Sequence, residues 1–583
     1  MIKKLIKFVG EYKKYAILTP IMTLAEVVVD MFIPTFMASL VDKGVNAGDM
    51  NHIVKMGWLM VLMAVLGLLT GILSGRFGAI AASGFAKNLR YAEFKNVQTF
   101  SFSNIDRFST ASLVTRLTTD VQNIMMAFMM MMRMLVRAPF SMIIAMVFCF
   151  RISARLSLIF LGGVGILIVA IAIIMTMALK YFRQTFPKYD DLNASIQENV
   201  TGIRVVKAFV REDYEKEKMK KASKAIYKLF VKAEGITTFM FPIMQFVVYS
   251  CIILVSWFGA QHIIQDQLTT GQLMSLLTYC MNILMSIMMV SMVFVMISMS
   301  TAAAGRVIEV LDEKSDIVNS ENPVFEVKDG SISFEDVVFS YHKGSEKPVL
   351  QHINLDIPSG ATIGIVGGTG SAKSTLVNMI SRLYDVDEGS VKVGGVDVRD
   401  YDIETLRNMV SVVLQNNVLF SGSILENLRW GDKDATLEQV KAACDQACAS
   451  EFIEKMPQKY DTKIEQGGAN VSGGQKQRLC IARALLKHPK VLILDDSTSA
   501  VDTATEATIR KAFAESIPDT TKIIIAQRIS SVQDADKIVV LDDGRVDGFD
   551  THENLLKNND IYREVFESQQ RGSGDFDENG GED

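Results

Sequence analysis

The chain has 583 residues, a hydrophobic content of 49%, a net charge of −5 and a mean hydropathy of +0.23. This length exceeds that of one ordinary domain and predicts at least two. The hydropathy is high for a soluble protein, and apolar residues concentrate before about residue 305, whereas charged residues dominate after it. The slightly acidic balance gives no basis for nucleic-acid binding, and we expect no nucleic-acid partner.

The first half contains apolar segments long enough to cross a bilayer. Residues 1–14 are basic and amphipathic, and we expect them to lie on the cytoplasmic leaflet. Three later runs contain no charged residue, and each exceeds the roughly 20 residues that a spanning helix needs. Three weaker runs precede them. The sequence therefore predicts a six-helix transmembrane domain over 15–305, with spans at 15–41, 57–75, 127–150, 156–179, 235–265 and 267–305.

Positive charge sets the expected orientation of these spans. Residues 180–234 hold thirteen Lys or Arg, whereas 42–52 and 264–270 hold only Lys43 between them. Cytoplasmic loops carry the excess of basic residues, so we expect 180–234, both termini and the second half to be cytoplasmic. The sequence thus predicts a multi-pass protein of the cell membrane in contact with membrane lipid.

Two carboxylates, Glu26 and Asp30, lie four residues apart on one face of the first predicted span. Charged side chains inside a membrane are costly and usually face water, a partner or a substrate. One interpretation places both in a cavity that favours a cationic or amphipathic substrate. The other is a structural ion pair inside the helix bundle, and the sequence leaves both open.

The second half has the composition of an α/β domain. A linker is expected at 306–330, the domain at 331–570, and an acidic, Gly-rich, disordered tail at 571–583. A predicted strand at 362–366 leads into a phosphate-binding loop and then a helix that begins near Lys373. In such loops backbone N–H groups cradle phosphates, the lysine neutralises charge and a hydroxyl ligates Mg²⁺. The loop consists of Gly367, Gly368, Thr369, Gly370, Ser371, Ala372, Lys373, Ser374 and Thr375.

Two further motifs follow this loop. The apolar run 491–494 ends at Asp495, a candidate Mg²⁺ ligand, and Val471-Ser472-Gly473-Gly474-Gln475 lies before it. This ordered set resembles the ATP-binding cassette (ABC) family. Six spans followed by a cassette is the arrangement of its multidrug-type exporters. The resemblance covers nearly the whole chain and implies a P-loop NTPase domain that binds ATP and Mg²⁺.

The resemblance also implies roles for other residues. Tyr341 would stack on adenine, Gln415 would join the Mg²⁺ site of Ser374 and Asp495 to the membrane domain, and Asp502 would lie in a loop crossing between subunits. The signature motif would contact the γ-phosphate held by the opposing subunit, through Ser472, Gly473, Gly474 and Gln475.

Two cytoplasmic stretches, 100–120 and 196–212, resemble the exporter loops that dock on nucleotide domains. Both combine helix-forming residues with small residues, and both would lie at the foot of long helices. A solvated charged loop is the alternative interpretation for each.

Three residues depart from the family pattern. Asp496 stands where the family has the Glu that acts as general base, and Gln527 stands where a His contacts the γ-phosphate. Asp is one methylene shorter than Glu, and a misplacement of about 1 Å can cost on the order of 100-fold in rate. Gln527 can hydrogen-bond a phosphate but cannot take up a proton. Ala372 replaces a loop glycine and is either a tolerated variant or one that weakens ATP binding.

The signature motif is intact although the catalytic site of the same chain departs from the family pattern. In the family that motif serves the ATP of the partner, so we expect one half of a heterodimeric bacterial exporter, with Glu and His supplied by a different half-transporter. The dimer would be an ATP-hydrolysing translocase that moves amphipathic small molecules, drugs, lipids or peptides outward by alternating access. An ATP-binding regulatory or channel-like subunit is the alternative, and the fusion of the two halves disfavours an importer.

Overall fold

The computed structural model describes residues 2–342, 347–496 and 503–570. The chain divides into two compact units. The first comprises 1–98 and 110–313, and the second comprises 99–109 and the chain from 314 onwards. Each described hydrophobic cluster draws its members from one unit only, so each unit has a core of its own.

The described residues of the first unit are helical or lie in short connections. Six stretches are long and apolar enough to cross a membrane: Lys3–Val45, Met50–Val97, Thr110–Ile152, Ala154–Thr201, Glu212–Ile264 and Thr270–Val290. The predicted six membrane helices are thereby confirmed. The helices are Ile2–Ile6, Lys7–Tyr12 (3-10), Lys13–Ser39, Leu40–Val45 (π), Met50–Val97, Thr110–Thr115, Arg116–Asp120 (π), Val121–Ile152, Ala154–Thr201, Ile203–Ala208, Glu212–Thr237, Met240–Ile264 and Thr270–Asp312.

The long helices extend beyond the apolar runs that revealed them. The predicted span 57–75 lies in the N-terminal part of the 48-residue helix Met50–Val97, which is about 70 Å long at 1.5 Å per residue. Helix Thr270–Asp312 likewise continues into the expected linker. Hydropathy marks only the apolar part of a helix, so it gives no sign of these polar continuations.

The N-terminal segment packs on the first unit. It forms helix Ile2–Ile6 and the 3-10 helix Lys7–Tyr12. Leu5 and Val9 are buried in one cluster with Phe85. The amphipathic segment therefore presents these apolar side chains to the helix bundle.

The second unit is an α/β domain with twelve strands among its described residues: β1 (Ile332–Phe339), β2 (Leu350–Ile357), β3 (Thr362–Val366), β4 (Glu388–Val393), β5 (Val396–Asp397), β6 (Val410–Val413), β7 (Gly422–Ser423), β8 (Lys463–Ile464), β9 (Val491–Asp495), β10 (Thr521–Ile525), β11 (Lys537–Asp542) and β12 (Arg545–Asp550). One sheet has the order β2-β1-β4-β5, the second β12-β11-β3-β10-β9-β6, and β7 pairs with β8. The six-stranded sheet is parallel except for its edge strand β12.

Both faces of the six-stranded sheet are covered. On β10, Ile523 and Ile525 belong to one core cluster, whereas Ile524 belongs to the other. The helices are Phe102–Phe108, Lys373–Ile380, Ile403–Met409, Ile424–Leu428, Leu437–Gln446, Ser450–Ile453, Gly473–Leu485, Thr503–Ser516, His552–Asn558 and Asp560–Gln570, with short 3-10 turns at Lys459–Asp461, Gln466–Gly468 and Ile529–Ser531.

The predicted strand before the loop and the apolar run before Asp495 are confirmed as β3 and β9, and the following helix begins at Lys373 as predicted. In a parallel sheet the carboxyl ends of the strands meet at one edge, where ligands bind. The loop and Asp495 therefore lie at the same edge of the sheet.

Candidate nucleotide-binding site

The phosphate-binding loop, residues 367–375, connects β3 to helix Lys373–Ile380. Lys373 Nζ donates hydrogen bonds to Gly367 O at 2.6 Å and to Gly368 O at 2.8 Å. A Cβ at Gly367 would lie 2.2 Å from Leu541 O, so the close approach of the two backbones requires glycine. The buried hydroxyl of Ser371 has no hydrogen-bond partner among the described residues. The loop thus offers a cation and an unsatisfied hydroxyl where phosphates would bind.

Ala372 caps the N-terminus of this helix in a left-handed conformation, with φ 72° and ψ 25°. An L-residue there costs about 1–2 kcal/mol relative to glycine, because Cβ crowds the backbone. The departure from the family glycine therefore falls on a position whose geometry favours glycine.

Ser374 and Asp495 form the candidate Mg²⁺ site. The Ser374 hydroxyl donates to Asp495 Oδ1 at 3.0 Å. Burial raises the pKa of Asp495, Ser374 and Lys373 lower it, and the adjacent Asp496 raises it further. A hydroxyl and a buried carboxylate fit a cation that prefers oxygen ligands and takes few of them from protein.

The carboxylate of Asp496 contacts both Gln415 and Gln527. Its Oδ2 accepts hydrogen bonds from Gln415 Nε2 at 3.3 Å and from Gln527 Nε2 at 3.4 Å. Both bonds are long, and Asp496 itself has a positive φ of 45°. One carboxylate is thus shared by two amide donors that cannot accept its proton.

Tyr341 follows β1 and stands beside the loop. Its hydroxyl lies 3.0 Å from Thr375 Oγ1, and 45% of the residue is exposed. An exposed ring fixed at its hydroxyl is suited to stacking on a base.

The signature motif, residues 472–475, lies at the start of the helix Gly473–Leu485. Ser472 N donates to Gln475 Oε1 at 3.0 Å, and Gln475 N donates to Ser472 Oγ at 3.3 Å. This capping box presents Ser472 and Gly473 at an exposed helix N-terminus, where the helix dipole favours an anion. Asp502 lies outside the described residues.

Two families match this chain: the ABC transporter transmembrane region over residues 16–288 and the ABC transporter over residues 350–499. The chain is 35% identical over 563 residues, 96% of each chain, to an uncharacterized ABC transporter ATP-binding protein of Mycobacterium tuberculosis. This chain belongs to the ABC transporter family. The membrane and ATP-binding regions of this ABC transporter are fused in one multi-pass chain, as in exporters.

Other ABC transporters show similar identity. The chain is 32% identical over 567 residues to the uncharacterized protein YfiB of Bacillus subtilis, covering 97% of this chain and 98% of YfiB. It is 34% identical over 489 residues to an ATP-dependent lipid A-core flippase of Desulfotalea psychrophila, covering 83% and 84% of the two chains. These relatives support ATP-driven export as the general activity.

The intramembrane carboxylates of this ABC transporter share one arginine. Arg137, in helix Val121–Ile152, donates to Glu26 Oε1 and to Asp30 Oδ2, the latter at 2.9 Å. The structure thus shows the ion pair that was one of the two interpretations. Arg137 was not identified from the sequence as the partner of these carboxylates. Its position inside the predicted span 127–150 was the signal that could have indicated it.

The stretch 100–120 contains the helix Phe102–Phe108, whose Asn104 and Phe108 are buried in the second unit. Tyr384 Oη donates to Asp106 Oδ2 of this helix at 2.7 Å. Sequence reasoning missed both residues, because no short-range pattern connects positions 278 apart.

The stretch 196–212 contains the helix Ile203–Ala208. Within the described first unit, this helix exposes Ile203 and Val205. These apolar side chains are available to a further protein surface.

Proposed function

We propose that this ABC transporter is the degenerate-site half of a heterodimeric exporter in the cell membrane, with its nucleotide-binding domain and termini cytoplasmic. The main support is the environment of Asp496, whose carboxylate accepts hydrogen bonds from the side-chain amides of Gln415 and Gln527. A general base must hold a water in line with the γ-phosphate. Asp496 is one methylene too short for this, and neither amide can relay a proton.

Nucleotide binding survives this loss of catalytic groups. Bound Mg-ATP supplies the phosphoryl group whose hydrolysis drives transport. Lys373 would neutralise its phosphates, Tyr341 would stack on its base, and Ser374 and Asp495, with Gln415, would hold the cation. This site therefore retains ATP through several cycles while hydrolysis proceeds in the partner.

The signature motif of this chain serves that competent site. Its capping box is already formed, and Ser472 and Gly473 are exposed rather than packed against other residues. An exposed, preorganised helix N-terminus favours an incoming phosphate from a second chain. The partner is a different half-transporter that brings the Glu and His absent here.

Two apolar surfaces support a second chain. The groove lined by Val418, Phe420 and Trp430 has a volume of about 350 Å³, and the Phe420 and Trp430 rings stack at 4.2 Å. All three side chains are exposed. Helix Ile203–Ala208 exposes apolar residues of the kind that fill such grooves, so the equivalent helix of a partner is the proposed occupant.

The proposed substrate is an amphipathic small molecule, drug, lipid or peptide. The side chains of Arg137 and Asp30 are 34% and 36% exposed at mid-helix positions. Charges exposed to lipid are costly, so this cluster faces water, the partner or a substrate. Together with Glu26, its net negative charge favours cationic or amphipathic cargo.

The test uses the purified full-length chain in lipid nanodiscs. We expect little ATPase from the wild-type chain alone. Asp496→Glu combined with Gln527→His should raise the rate by about 100-fold, the scale of restoring a group misplaced by about 1 Å. Adding Lys373→Ala to that double variant is the control and should abolish the gain. Rapid turnover by the wild-type homodimer would refute the degenerate-site assignment.

A further inference from the structure

The helix Phe102–Phe108, here named the docking helix, has two separate anchors in the second unit. At one end Ser101 and Ser103 donate hydrogen bonds to Asp316, the latter at 2.7 Å. At the other, Tyr384 Oη donates to Asp106 Oδ2 at 2.7 Å. The first anchor is tied to the segment that follows helix Thr270–Asp312, and the second to the nucleotide-binding domain.

Tyr384 also contacts the proposed adenine platform. Its ring lies 5.2 Å from the ring of Tyr341 with an interplanar angle of 87° and 5.6 Å from the ring of Phe339. Phe339 and Tyr341 are themselves edge-to-face at 5.0 Å. Edge-to-face contacts at these separations are the favoured geometry of aromatic pairs. The orientation of Tyr341 therefore constrains that of Tyr384.

The hydroxyl of Tyr384 is a dependable donor. Burial raises its pKa, and the hydrogen bond to Asp106 raises it further. The group stays protonated at physiological pH, so it makes an O–H···O⁻ bond, which is stronger than a neutral one. The ring of Tyr384 thus contacts Phe339 and Tyr341, and its hydroxyl donates a hydrogen bond to Asp106 of the docking helix.

We propose that Tyr384 is a positioning residue that transmits nucleotide occupancy from Tyr341 to the docking helix. The proposal rests on the proposed role of Tyr341 in stacking on adenine. A base on the exposed face of Tyr341 restricts that ring, the edge contact then restricts Tyr384, and the Tyr384 hydroxyl is held toward Asp106.

This relay matters most at a site that retains ATP. The docking helix is covalently continuous with helix Met50–Val97 on one side and helix Thr110–Thr115 on the other. Retained nucleotide would therefore keep the connection to two membrane-domain helices ordered while the partner site completes its cycles. The relay requires occupancy of this site but not hydrolysis there.

The experiment measures hydrogen–deuterium exchange of residues 99–109 in the full-length chain in nanodiscs, with and without Mg-AMP-PNP. TNP-ATP fluorescence monitors binding in the same samples. Local opening of a short helix is read directly by amide exchange. For wild type we expect nucleotide to raise protection by about fivefold, the factor of one net hydrogen bond.

Four single variants and one double variant separate the relay from general stability. Tyr384→Phe keeps the ring and removes the donor, and it should abolish the nucleotide-dependent gain while TNP-ATP still binds. Asp106→Ala should do the same, and the double variant should add nothing, because both changes remove one bond. Asp316→Ala loosens the other anchor and should lower protection equally with and without nucleotide. Tyr401→Phe removes a buried hydroxyl that donates to Val393 O and should leave the gain intact.

Two results would overturn the relay. One is wild-type protection that does not respond to bound nucleotide, and the other is a response that persists in Tyr384→Phe. Failure of the wild-type chain to bind TNP-ATP would instead overturn the nucleotide site itself, and the relay with it.

Discussion

Ala372→Gly tests whether the left-handed conformation at the loop stores strain. Glycine removes the cost of about 1–2 kcal/mol that an L-residue has there. Against this, glycine loses about 0.5–1 kcal/mol through unfolded-state entropy, and half a buried methyl is worth about 0.4 kcal/mol. Ala372 packs only partly against the core. The net effect is close to zero, at about +0.4 kcal/mol in favour of glycine.

Ala442→Gly is the matched control. Ala442 is exposed within the regular helix Leu437–Gln446, where glycine costs about 1 kcal/mol. The two variants should differ by about 1–1.5 kcal/mol, or about 3–5 °C in Tm for a domain of this size. Thermal unfolding of the second unit is followed by Trp430 fluorescence in a chain whose other two tryptophans, Trp58 and Trp257, are replaced by Phe, because all three would otherwise emit. Equal destabilisation by both substitutions would show that position 372 stores no strain.

Three further outcomes are expected. Lys373→Ala should reduce nucleotide occupancy at this site, measured by photolabelling in the assembled pair, more than it reduces total ATPase activity. An equal loss of occupancy and of ATPase activity would mean that both sites hydrolyse ATP equally. Burial raises the pKa of Asp495 in the folded state. The protonated carboxyl therefore stabilises the fold fully at acidic pH, and this stabilisation is lost as the pH rises through the pKa of the folded state. Asp495→Asn should therefore unfold at higher temperature than wild type at neutral pH without Mg²⁺, with a difference that shrinks on acidification; a pH-independent difference would contradict this. Arg137→Leu leaves two carboxylates without their shared cation and should destabilise the membrane unit by about 2 kcal/mol, less than the about 3–5 kcal/mol expected for a fully buried ion pair. The control is Arg133→Leu, because Arg133 has no ion pair among the described residues, and it should lower the unfolding temperature less in the same thermal scan.

Local sequence signals predicted much of the fold and of the nucleotide site. The six spans followed from hydropathy, and β3, the helix at Lys373 and β9 followed from apolar runs punctuated by glycine and aspartate. Family resemblance assigned Gln415 to the Mg²⁺ site and Gln527 to the position of a γ-phosphate contact, and the structure brings both amides to the carboxylate of Asp496. These features depend on patterns within a few residues or on known motifs.

Contacts between distant segments could not be predicted in the same way. Arg137 pairs with carboxylates 111 and 107 positions away, and Tyr384 meets a helix 278 positions earlier. No periodicity encodes such pairings, because they follow from how helices and strands pack. The left-handed conformation of Ala372 was also beyond local signals, since alanine itself favours regular helix.

We propose that this chain holds the weak catalytic site and contributes its signature motif to the strong site of the partner. The direct test is substrate-stimulated ATPase of the proposed heterodimer carrying Gly474→Asp or Asp496→Asn. Gly474→Asp places a carboxylate at the helix N-terminus expected to face the γ-phosphate of the partner, where like charges repel, so activity should be largely lost. Asp496→Asn changes the site at which we propose that hydrolysis is already slow, so it should leave most activity intact. Loss of activity with Asp496→Asn and retention with Gly474→Asp would show that the strong and weak sites are assigned the wrong way round.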